Sequence, residues 1–190
     1  FADGTAIDTG HSDSEWRSLS TSAYADYDNN PVNSNIYGKL YNWYAVNGDD
    51  GANEFGILDD NDNLLWRVPG ETEWQDLEVT LGIPAEDVAN IGYRGSDEGG
   101  ALKEEGTEHW NDPNAGATNE TGFTALPGGF RNSSSGYYDH MGEHSFHWSS
   151  TEESISNAWY RRLFYGHHGV YRSYYPKKAG ASVRLVRDLS

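Results

Sequence analysis

The sequence predicts a single domain of the α+β class. One amphipathic helix is indicated by Trp74, Leu77 and Leu81, which recur at the three- and four-residue spacing of one helix face. The last third of the chain instead holds short aromatic and aliphatic segments separated by Gly, Asn and Ser, a pattern typical of short strands joined by loops. A length of 190 residues suits one domain with a substantial core.

The first 63 residues predict mostly irregular structure. Residues 1–36 are polar and loop-like, and three aromatic residues are their expected anchors: Trp16, Tyr24 and Tyr27. Residues 37–46 (YGKLYNWYAV) are too aromatic for a surface and predict a buried strand or a buried turn of helix. Residues 47–63 are acidic and rich in Asn and Gly, and they predict a loop or a hairpin.

The clearest helix follows a short strand. Leu64–Val68 predicts the strand, which ends at Pro69. A helix is predicted over Glu71–Leu81 because two glutamates occupy its first turn, where the helix dipole favours acidic groups, and Gly82 provides a C-terminal stop. A second short helix is predicted around residues 85–90.

The remainder of the chain predicts loops and strands. Residues 91–122 predict a loop rich in Gly, Asn and acidic residues, with Trp110 as its buried anchor. Five strand segments are predicted after it: Phe123–Leu126, Phe146–Ser149, Ala158–Phe164, Gly169–Arg172 and Ala181–Arg187. The last of these (ASVRLVR) alternates apolar residues with outward arginines, as a half-buried strand does. We therefore expect an antiparallel, loop-interrupted sheet late in the chain.

Composition excludes several classes of function. A net charge of −17 argues against nucleic acid and against an anionic membrane surface, because both would repel the chain. No run of about 18 apolar residues is present, so no segment is predicted to enter a bilayer. Without cysteine there is no disulfide, no thiolate nucleophile and no cysteine-bound zinc. The first residues (FADGT) read as a start partway through a domain.

Charge changes sharply near residue 130. Residues 1–130 hold 25 acidic and 5 basic residues, whereas residues 131–190 hold 5 acidic and 8 basic residues. The second stretch also carries 7 of the 13 tyrosines and 5 of the 7 histidines. Tyrosine and histidine beside Ser, Gly and Asn are typical of recognition surfaces, where rigid aromatic contact area lies next to adaptable hydrogen-bonding groups. This pattern predicts an acidic scaffold that carries a binding face.

Several separate segments resemble one family. They are FADGT (1–5), YGKLYNWYAV (37–46), WRVPGETEW (66–74), LKEEGTEHW (102–110), PNAGATNETGFTALPGGFRN (113–132), WSSTE (148–152) and KKAGASVRLVRD (177–188). In this order and spacing they resemble the Fibrobacter succinogenes major paralogous domain family, and they span nearly the whole chain. The family blocks cross residue 130, so the charge step is not a domain boundary.

The resemblance implies a C-type-lectin-like fold, which the family shares with formylglycine-generating enzymes. Early helices would precede a small twisted antiparallel sheet with long ligand-facing loops. The chain, a single domain over residues 1–190, is expected to lack its natural N-terminal strand. Family members often carry a cysteine in the closing strand, where this sequence has Leu185. The chemistry of formylglycine-generating enzymes uses cysteines and copper, so that activity is not expected here.

The resemblance also implies where a ligand would bind. Retroelement-diversified variable proteins of similar fold concentrate their changes in a C-terminal region of this kind. The positions between the framework blocks supply the predicted contacts: Tyr137, Tyr138, His140, His144, Phe146, His147, Tyr165, His167, His168, Tyr171, Tyr174 and Tyr175. Trp148, Trp159 and Tyr160 are instead expected in the core, and some of the contact candidates could serve the same role.

Two kinds of metal site are weighed. Asp59, Asp60 and Asp62 could hold calcium through hard oxygen ligands, although the segment lacks the glycine and glutamate of an EF-hand loop. His144 with His147, or the adjacent His167 and His168, could bind zinc or nickel. The alternative for the histidines is a set of exposed loop residues in a recognition face. For the aspartates it is a solvated hairpin tip.

The function predicted from the sequence is non-enzymatic recognition. The domain would belong to a secreted or surface-displayed bacterial or phage protein, such as a phage tail protein, and would bind a glycan or a protein or peptide on another cell or chain. One alternative is a structural packing module of a long adhesin or filament. The other is a divergent enzyme of the formylglycine-generating type.

Overall fold

The computed structural model describes residues 1–51, 55–61 and 63–187, and it confirms the α+β class. The helices of the described ranges are α1 (Asp13–Trp16), α2 (Pro31–Tyr37), α3 (Trp43–Val46), α4 (Gly48–Gly51), α5 (Glu71–Leu81) and α6 (Glu98–Leu102). The strands are β1 (Tyr24–Ala25), β2 (Leu40–Tyr41), β3 (Gly56–Leu58), β4 (Leu64–Arg67), β5 (Gly92–Arg94), β6 (Gly128–Arg131), β7 (Tyr138–Met141), β8 (His144–Glu152), β9 (Asn157–Phe164) and β10 (Val170–Pro176).

One six-stranded sheet organises the molecule. Its strands lie in the order β5-β10-β9-β8-β6-β7. The long strands β8, β9 and β10 pair antiparallel, and β5 extends the sheet antiparallel to β10. Strand β6 pairs antiparallel with β7 and meets β8 in parallel at Gly129 and Ser145. Two further antiparallel pairs, β1–β2 and β3–β4, lie outside this sheet.

Helix α5 has the bounds that the sequence predicts. The carboxylate of Glu73 accepts a hydrogen bond from the backbone N–H of Gly70 at 2.8 Å, which satisfies a donor that the helix itself leaves unpaired. At the other end, Gly82 adopts a φ of +125°, which favours glycine and ends the helix. Trp74 and Glu78 are its buried side chains.

Tryptophan supplies much of the core. Trp16, Trp43, Trp110 and Trp148 are each at most 2% exposed. Trp43 and Trp148 belong to one cluster, Trp110 to a second one around Leu163, and Trp16 to a third. A large aromatic side chain buries roughly 150–250 Å². These few residues therefore offset the low apolar content of the chain.

Several sequence predictions are confirmed with small shifts at the ends. Residues 37–46 form both predicted alternatives, strand β2 and helix α3. The acidic segment 47–63 contributes β3 to a hairpin with β4. The predicted segments Phe146–Ser149, Ala158–Phe164 and Gly169–Arg172 lie in β8, β9 and β10. The expected loop 91–122 also holds β5 and α6, while Trp110 is buried within it as predicted.

Three predicted elements are wrong. Residues 85–90 form turns, in which the N–H groups of Asp87 and Asn90 donate to the carbonyls three residues earlier and no continuous α-helical ladder forms. Phe123–Leu126 is not a strand, since Thr124 has a left-handed φ of +53° and only Ala125 makes a bridge. Ala181–Arg187 forms isolated bridges instead of a ladder. Its bonds go to separate segments, from Ala181 to Tyr41 and from Val186 to Arg67.

None of the helices in the described ranges combines the length and the apolar character needed to cross a membrane.

Candidate ligand-binding face

The two faces of the six-stranded sheet carry different chemistry. Side chains alternate between the faces along each strand, and the register places Tyr171 opposite Arg162 and Arg172 opposite Arg161. Helix α5 packs on the face of Arg161 and Arg172, which we call the covered face. The face of Arg162 and Tyr171 we call the open face.

A buried ion network occupies the covered face. Glu78 of α5 accepts hydrogen bonds from Arg94 at 2.7 and 2.9 Å and from Arg161 Nε at 2.6 Å. Glu71 accepts from Arg161 at 2.6 Å and from Arg172 Nε at 2.8 Å. The three arginines are at most 5% exposed. Because every charge has an opposite partner, the network ties α5 to β5, β9 and β10.

His147 lies on the covered face. Its ring contacts the rings of Trp74 and Phe123, with centroids 6.0 and 5.5 Å away, and its Nε2 is hydrogen-bonded to Ser145 Oγ at 2.7 Å. Burial, followed by the charge of Arg184, lowers the pKa of His147 to about 3. The ring is therefore neutral at physiological pH.

The open face carries a continuous row of rings. The side chains that share this face and touch at least one other member are Tyr93, Phe130, His140, His144, Phe146, Trp148, Tyr160, Phe164, Tyr171 and Tyr175, with His167 stacked on Tyr93 from the loop after β9. The stack of His167 on Tyr93 has a centroid distance of 3.7 Å. At the other end of the row, the rings of His140 and His144 lie 4.8 Å apart.

The row is accessible at its margins and packed at its centre. Tyr93 is 38% exposed and His140 is exposed, whereas Phe146, Tyr171 and Tyr175 are half-buried. Tyr160 is buried in the core cluster of Trp43 and Trp148, against which Phe146, Tyr171 and Tyr175 pack, and Phe130 and His144 are buried as well. Beside Tyr93 a shallow cavity of about 590 Å³ continues the surface. The face thus offers a fixed aromatic floor with solvent-exposed edges.

Arg162 is the cation of the open face. Its guanidinium lies 4.1 Å from the centroid of Tyr171 and 5.7 Å from that of Tyr93. Its NH2 group donates a long hydrogen bond of 3.4 Å to the hydroxyl of Tyr93, and its buried Nε has no partner among the described residues. Across the described ranges no carboxylate forms an ion pair with it.

Two histidines of the open face, His144 and His167, favour their neutral form. Burial, then the charges of Arg162 and His140, lowers the pKa of His144 to about 4. Burial, with the charges of His168 and Lys103, also lowers the pKa of His167. Burial raises the pKa of Tyr160 and of Tyr175, so both remain uncharged phenols at neutral pH.

A buried lysine fixes the loop next to the row. Lys103 is fully buried, and its Nζ donates to the backbone carbonyls of Ala115, Phe164 and His167 at 2.8, 3.1 and 3.2 Å. Burial lowers its pKa to about 8, which still leaves the group mostly protonated at neutral pH. Three chain segments meet at this one ammonium group.

The structure brings six of the twelve predicted contact residues together on the open face: His140, His144, Phe146, His167, Tyr171 and Tyr175. Whether they contact a ligand stays a prediction. Sequence reasoning missed Tyr93, Arg162, Phe130 and Phe164. The alternation of Tyr160, Arg162 and Phe164 in NAWYRRLF could have revealed a shared face, whereas nothing local indicates that Tyr93 joins them from an edge strand.

The other six predicted contacts lie elsewhere. Tyr174 lies on the opposite side of the sheet, against Trp159, and His147 is buried there. Tyr138 is half-buried under the guanidinium of Arg131, because it packs on the N-terminal cluster. The remaining three occupy loops off the face: Tyr137 is 62% exposed, Tyr165 packs on the cluster of Trp110, and His168 is exposed beside Gly116.

The predicted core residues divide as well. Trp148 is 1% and Tyr160 6% exposed, which confirms both as core. Trp159 is only half-buried, since its ring lies on the covered face under the guanidinium of Arg172, 3.6 Å from the ring centroid.

The predicted calcium ligands brace a turn. Asp59 accepts hydrogen bonds from the backbone N–H groups of Asn61 and Asn63 at 2.8 and 2.9 Å, and these bonds lower its pKa. Asp60 is exposed, and Asp62 lies outside the described residues. Calcium binding at this segment stays a prediction.

The pair of His144 and His147 proposed for a transition metal does not hold as predicted, whereas metal binding by His167 and His168 stays a prediction. His144 and His147 are on opposite faces of the sheet, because they are three residues apart on one strand. The group of three ligand atoms found within the described ranges is a different one, formed by His140, Glu143 and His144, whose ligand atoms all lie within 4.8 Å of one another.

Comparison with known proteins gives one match. The family described as Fibrobacter succinogenes major domain matches residues 1–187. No curated protein and no solved structure matches the chain at a significant level.

Proposed function

The chain belongs to the Fibrobacter succinogenes major domain family, and from this premise we propose that it is a non-enzymatic recognition domain whose ligand binds the open face. The observation that carries the proposal is the continuous row of rings on one face of the sheet, with exposed margins at Tyr93 and His140. Large rigid rings bind at a low cost in conformational entropy, since few torsion angles must be fixed.

We also propose that the domain has a C-type-lectin-like fold. Support comes from the order of the elements, in which helices precede a small antiparallel sheet made from the last third of the chain. In such a domain the ligand face would lie on the late strands and loops. The open face is built from those strands, with Tyr93 as the contribution of an earlier one.

The ligand that we propose is a glycan or an exposed peptide segment with an acidic group. Rings of the open face would stack on the flat parts of the ligand, and tyrosine hydroxyls would hydrogen-bond to its polar groups. Arg162 would pair with the acidic group, since guanidinium binds carboxylates well and none of the described carboxylates occupies it.

The setting follows from the same reasoning. We propose a secreted or surface-displayed bacterial or phage protein that meets its partner on another cell or chain. Calcium would bind at Asp59 and Asp60 to brace the β3–β4 hairpin, as hard oxygen ligands allow. The acidic surface, with a net charge of −17, suits such a setting and disfavours nucleic acid.

Glycan and peptide arrays test the proposal. The wild-type chain is applied with calcium and with chelator, beside the double variant Tyr93→Ala, Tyr171→Ala and the control Tyr174→Ala. We expect wild type and the control to bind the same ligands and the double variant to lose at least 10-fold in affinity, a loss of about 1.4 kcal/mol. Tyr174 is a matched control because it is a 42% exposed tyrosine on the same strand but on the opposite face.

Three outcomes would contradict the proposal in different ways. Binding that survives the double variant would move the site away from the open face. Binding that is lost only in Tyr174→Ala would place it on the covered face. If no array ligand binds and hydrogen exchange at β10 slows when the chain meets its neighbours in the parent assembly, the domain is a structural packing module.

A further inference from the structure

Three side chains that could bind a metal ion meet at the turn that joins β7 to β8, two strands that both pair with β6. From its geometry we infer that His140, Glu143 and His144 bind a zinc ion at the edge of the open face. His140 ends the accessible part of the row, Glu143 lies in the turn and His144 begins β8. The three ligand atoms lie within 4.8 Å of one another, and His140 Nδ1 is 2.9 Å from a carboxylate oxygen of Glu143.

Backbone hydrogen bonds anchor the turn between β7 and β8 to other parts of the fold. The backbone N–H of Gly142 donates to the carbonyl of Pro127 at 2.9 Å, and the carbonyl of Gly142 accepts from Asn111 at 2.8 Å. Tyr165 N–H donates to the carbonyl of Glu143 at 2.9 Å. These bonds anchor the turn to three other segments, so the ligands are brought together before any ion binds.

The two imidazole rings are also held in place. His140 has a left-handed φ of +65°, a conformation that costs a non-glycine residue about 1 kcal/mol or more. This backbone conformation accompanies the stacking of its ring on Phe130 at 5.7 Å. The ring of His144 stacks on Phe164 at 4.6 Å. A strained residue that is maintained by its surroundings is a feature of functional sites.

An independent observation concerns the buried imidazole. His144 is only 8% exposed, and its Nδ1 has no hydrogen-bond partner among the described residues. Leaving a buried polar atom unpaired costs about 1–3 kcal/mol. Coordination of the ring by an ion would offset such a cost by giving the imidazole a strong partner and orienting it.

The ligand types select zinc over calcium. Two imidazoles and one carboxylate are a common protein ligand set for Zn²⁺ with one open position, whereas Ca²⁺ requires six to eight oxygen ligands. Zinc lies about 2.0–2.2 Å from such ligands, so the widest pair must close by more than 1 Å. Rotation of the side chains of His140 and Glu143, which are 45% and 39% exposed, allows this.

Both positive and negative side chains lie near the proposed zinc site. Arg162 is close enough to His144 to act on its charge, and this guanidinium opposes a cation. Glu143 supplies a negative charge within the site, and Asp139 on β7 adds a second negative charge nearby in the chain. The open position of the ion would face the same surface as Arg162. An acidic group of a bound molecule could then contact both the ion and the guanidinium.

Zinc titration of the purified chain tests the inference. The chain is stripped with chelator and titrated calorimetrically with zinc chloride, and cobalt(II) absorption reports the ligand geometry. We expect one ion per chain and roughly 100-fold weaker binding in His140→Ala and in Glu143→Gln. Both side chains are well exposed, so these variants should fold, which circular dichroism checks.

His109→Gln is the matched control, because His109 also pairs with a glutamate, Glu104, at 2.9 Å but on another loop. It should bind zinc as the wild type does. Absence of saturable binding at millimolar zinc would overturn the inference. So would an affinity that neither His140→Ala nor Glu143→Gln changes, or one that His109→Gln lowers equally.

Discussion

Arg161 and Arg162 are adjacent in the sequence, but their side chains lie on opposite faces of the sheet and have different partners. Arg161 points to the covered face, where it is 1% exposed and bonds to both Glu71 and Glu78. Arg162 points to the open face, where rings surround it and none of the described carboxylates pairs with it. The chain has 30 acidic residues, so carboxylates are not scarce in the sequence. The two arginines thus differ in their pairing with the described carboxylates, and this difference agrees with the ligand site that we propose on the open face.

The energetic roles of the two faces differ accordingly. On the covered face three arginines share two glutamates in a largely desolvated site, so the loss of one member removes charge-assisted hydrogen bonds that water does not replace. On the open face Tyr160 belongs to a core cluster, whereas the removal of an exposed ring such as that of Tyr93 exposes little that was buried. We therefore expect the ion network of the covered face to contribute more to stability than Arg162 and the exposed rings of the open face.

The largest effect is expected for Arg161→Met. The change leaves Glu78 bonded to Arg94 and Glu71 bonded to Arg172, but it removes the charge-assisted hydrogen bonds of 2.6 Å that both carboxylates accept from Arg161 at a buried site. At roughly 1.5–3 kcal/mol for each such bond, the free energy of unfolding should fall by about 3–5 kcal/mol. Urea denaturation followed by tryptophan fluorescence measures this. A loss below 1 kcal/mol would mean that the network contributes little and that the contrast between the faces is only geometric.

An intermediate effect is expected from acid. The folded-state pKa of His147 is depressed to about 3, so its contribution to stability is present above the unfolded-state pKa of about 6.5 and declines as pH falls below it. Between pH 7 and 5 this one group should lower the free energy of unfolding by about 2 kcal/mol. His147→Gln should lose that much less stability than wild type over the same range, measured by urea denaturation at each pH. Equal losses would show that His147 takes up protons in the folded state as readily as in the unfolded state.

The smallest effect is expected for Arg162→Met. The variant keeps much of the aliphatic stem and removes a guanidinium that none of the described carboxylates balances, so the free energy of unfolding should change by less than about 1 kcal/mol. Binding of acidic ligands should fall in the same variant. A destabilisation as large as that of Arg161→Met would contradict the division into scaffold and binding face.

Local pattern predicted the elements better than the faces. Helix α5 could be predicted because Trp74, Leu77 and Leu81 recur on one helix face. The long strands could be predicted because their residue types favour strands. The sequence predicted only part of the ring row. Tyr93 joins the row because β5 pairs with β10, which places Tyr93 opposite Tyr171, a residue 78 positions later in the chain. Such pairing is tertiary and leaves no local signature.

The wrong predictions have the same origin. The alternation in Ala181–Arg187 is real, but its bonded residues join separate segments and no ladder forms. Histidine is a residue type common in binding sites, yet His147 is buried in the core. Only the register of β8 shows that its side chain lies on the covered face. The proposed metal ligands are likewise absent from the sequence predictions, because the sequence pattern does not indicate the turn that brings His140 close to His144.

Lys103 has a consequence for how freely the neighbouring loop can change. Its three hydrogen bonds go to main-chain carbonyls at Ala115, Phe164 and His167, groups that every residue type possesses. Exchanging the side chains at positions 164 and 167 therefore leaves the lysine its acceptors. The same anchor could support many alternative loop sequences, which makes this corner of the molecule a natural starting point for a combinatorial library of new binders.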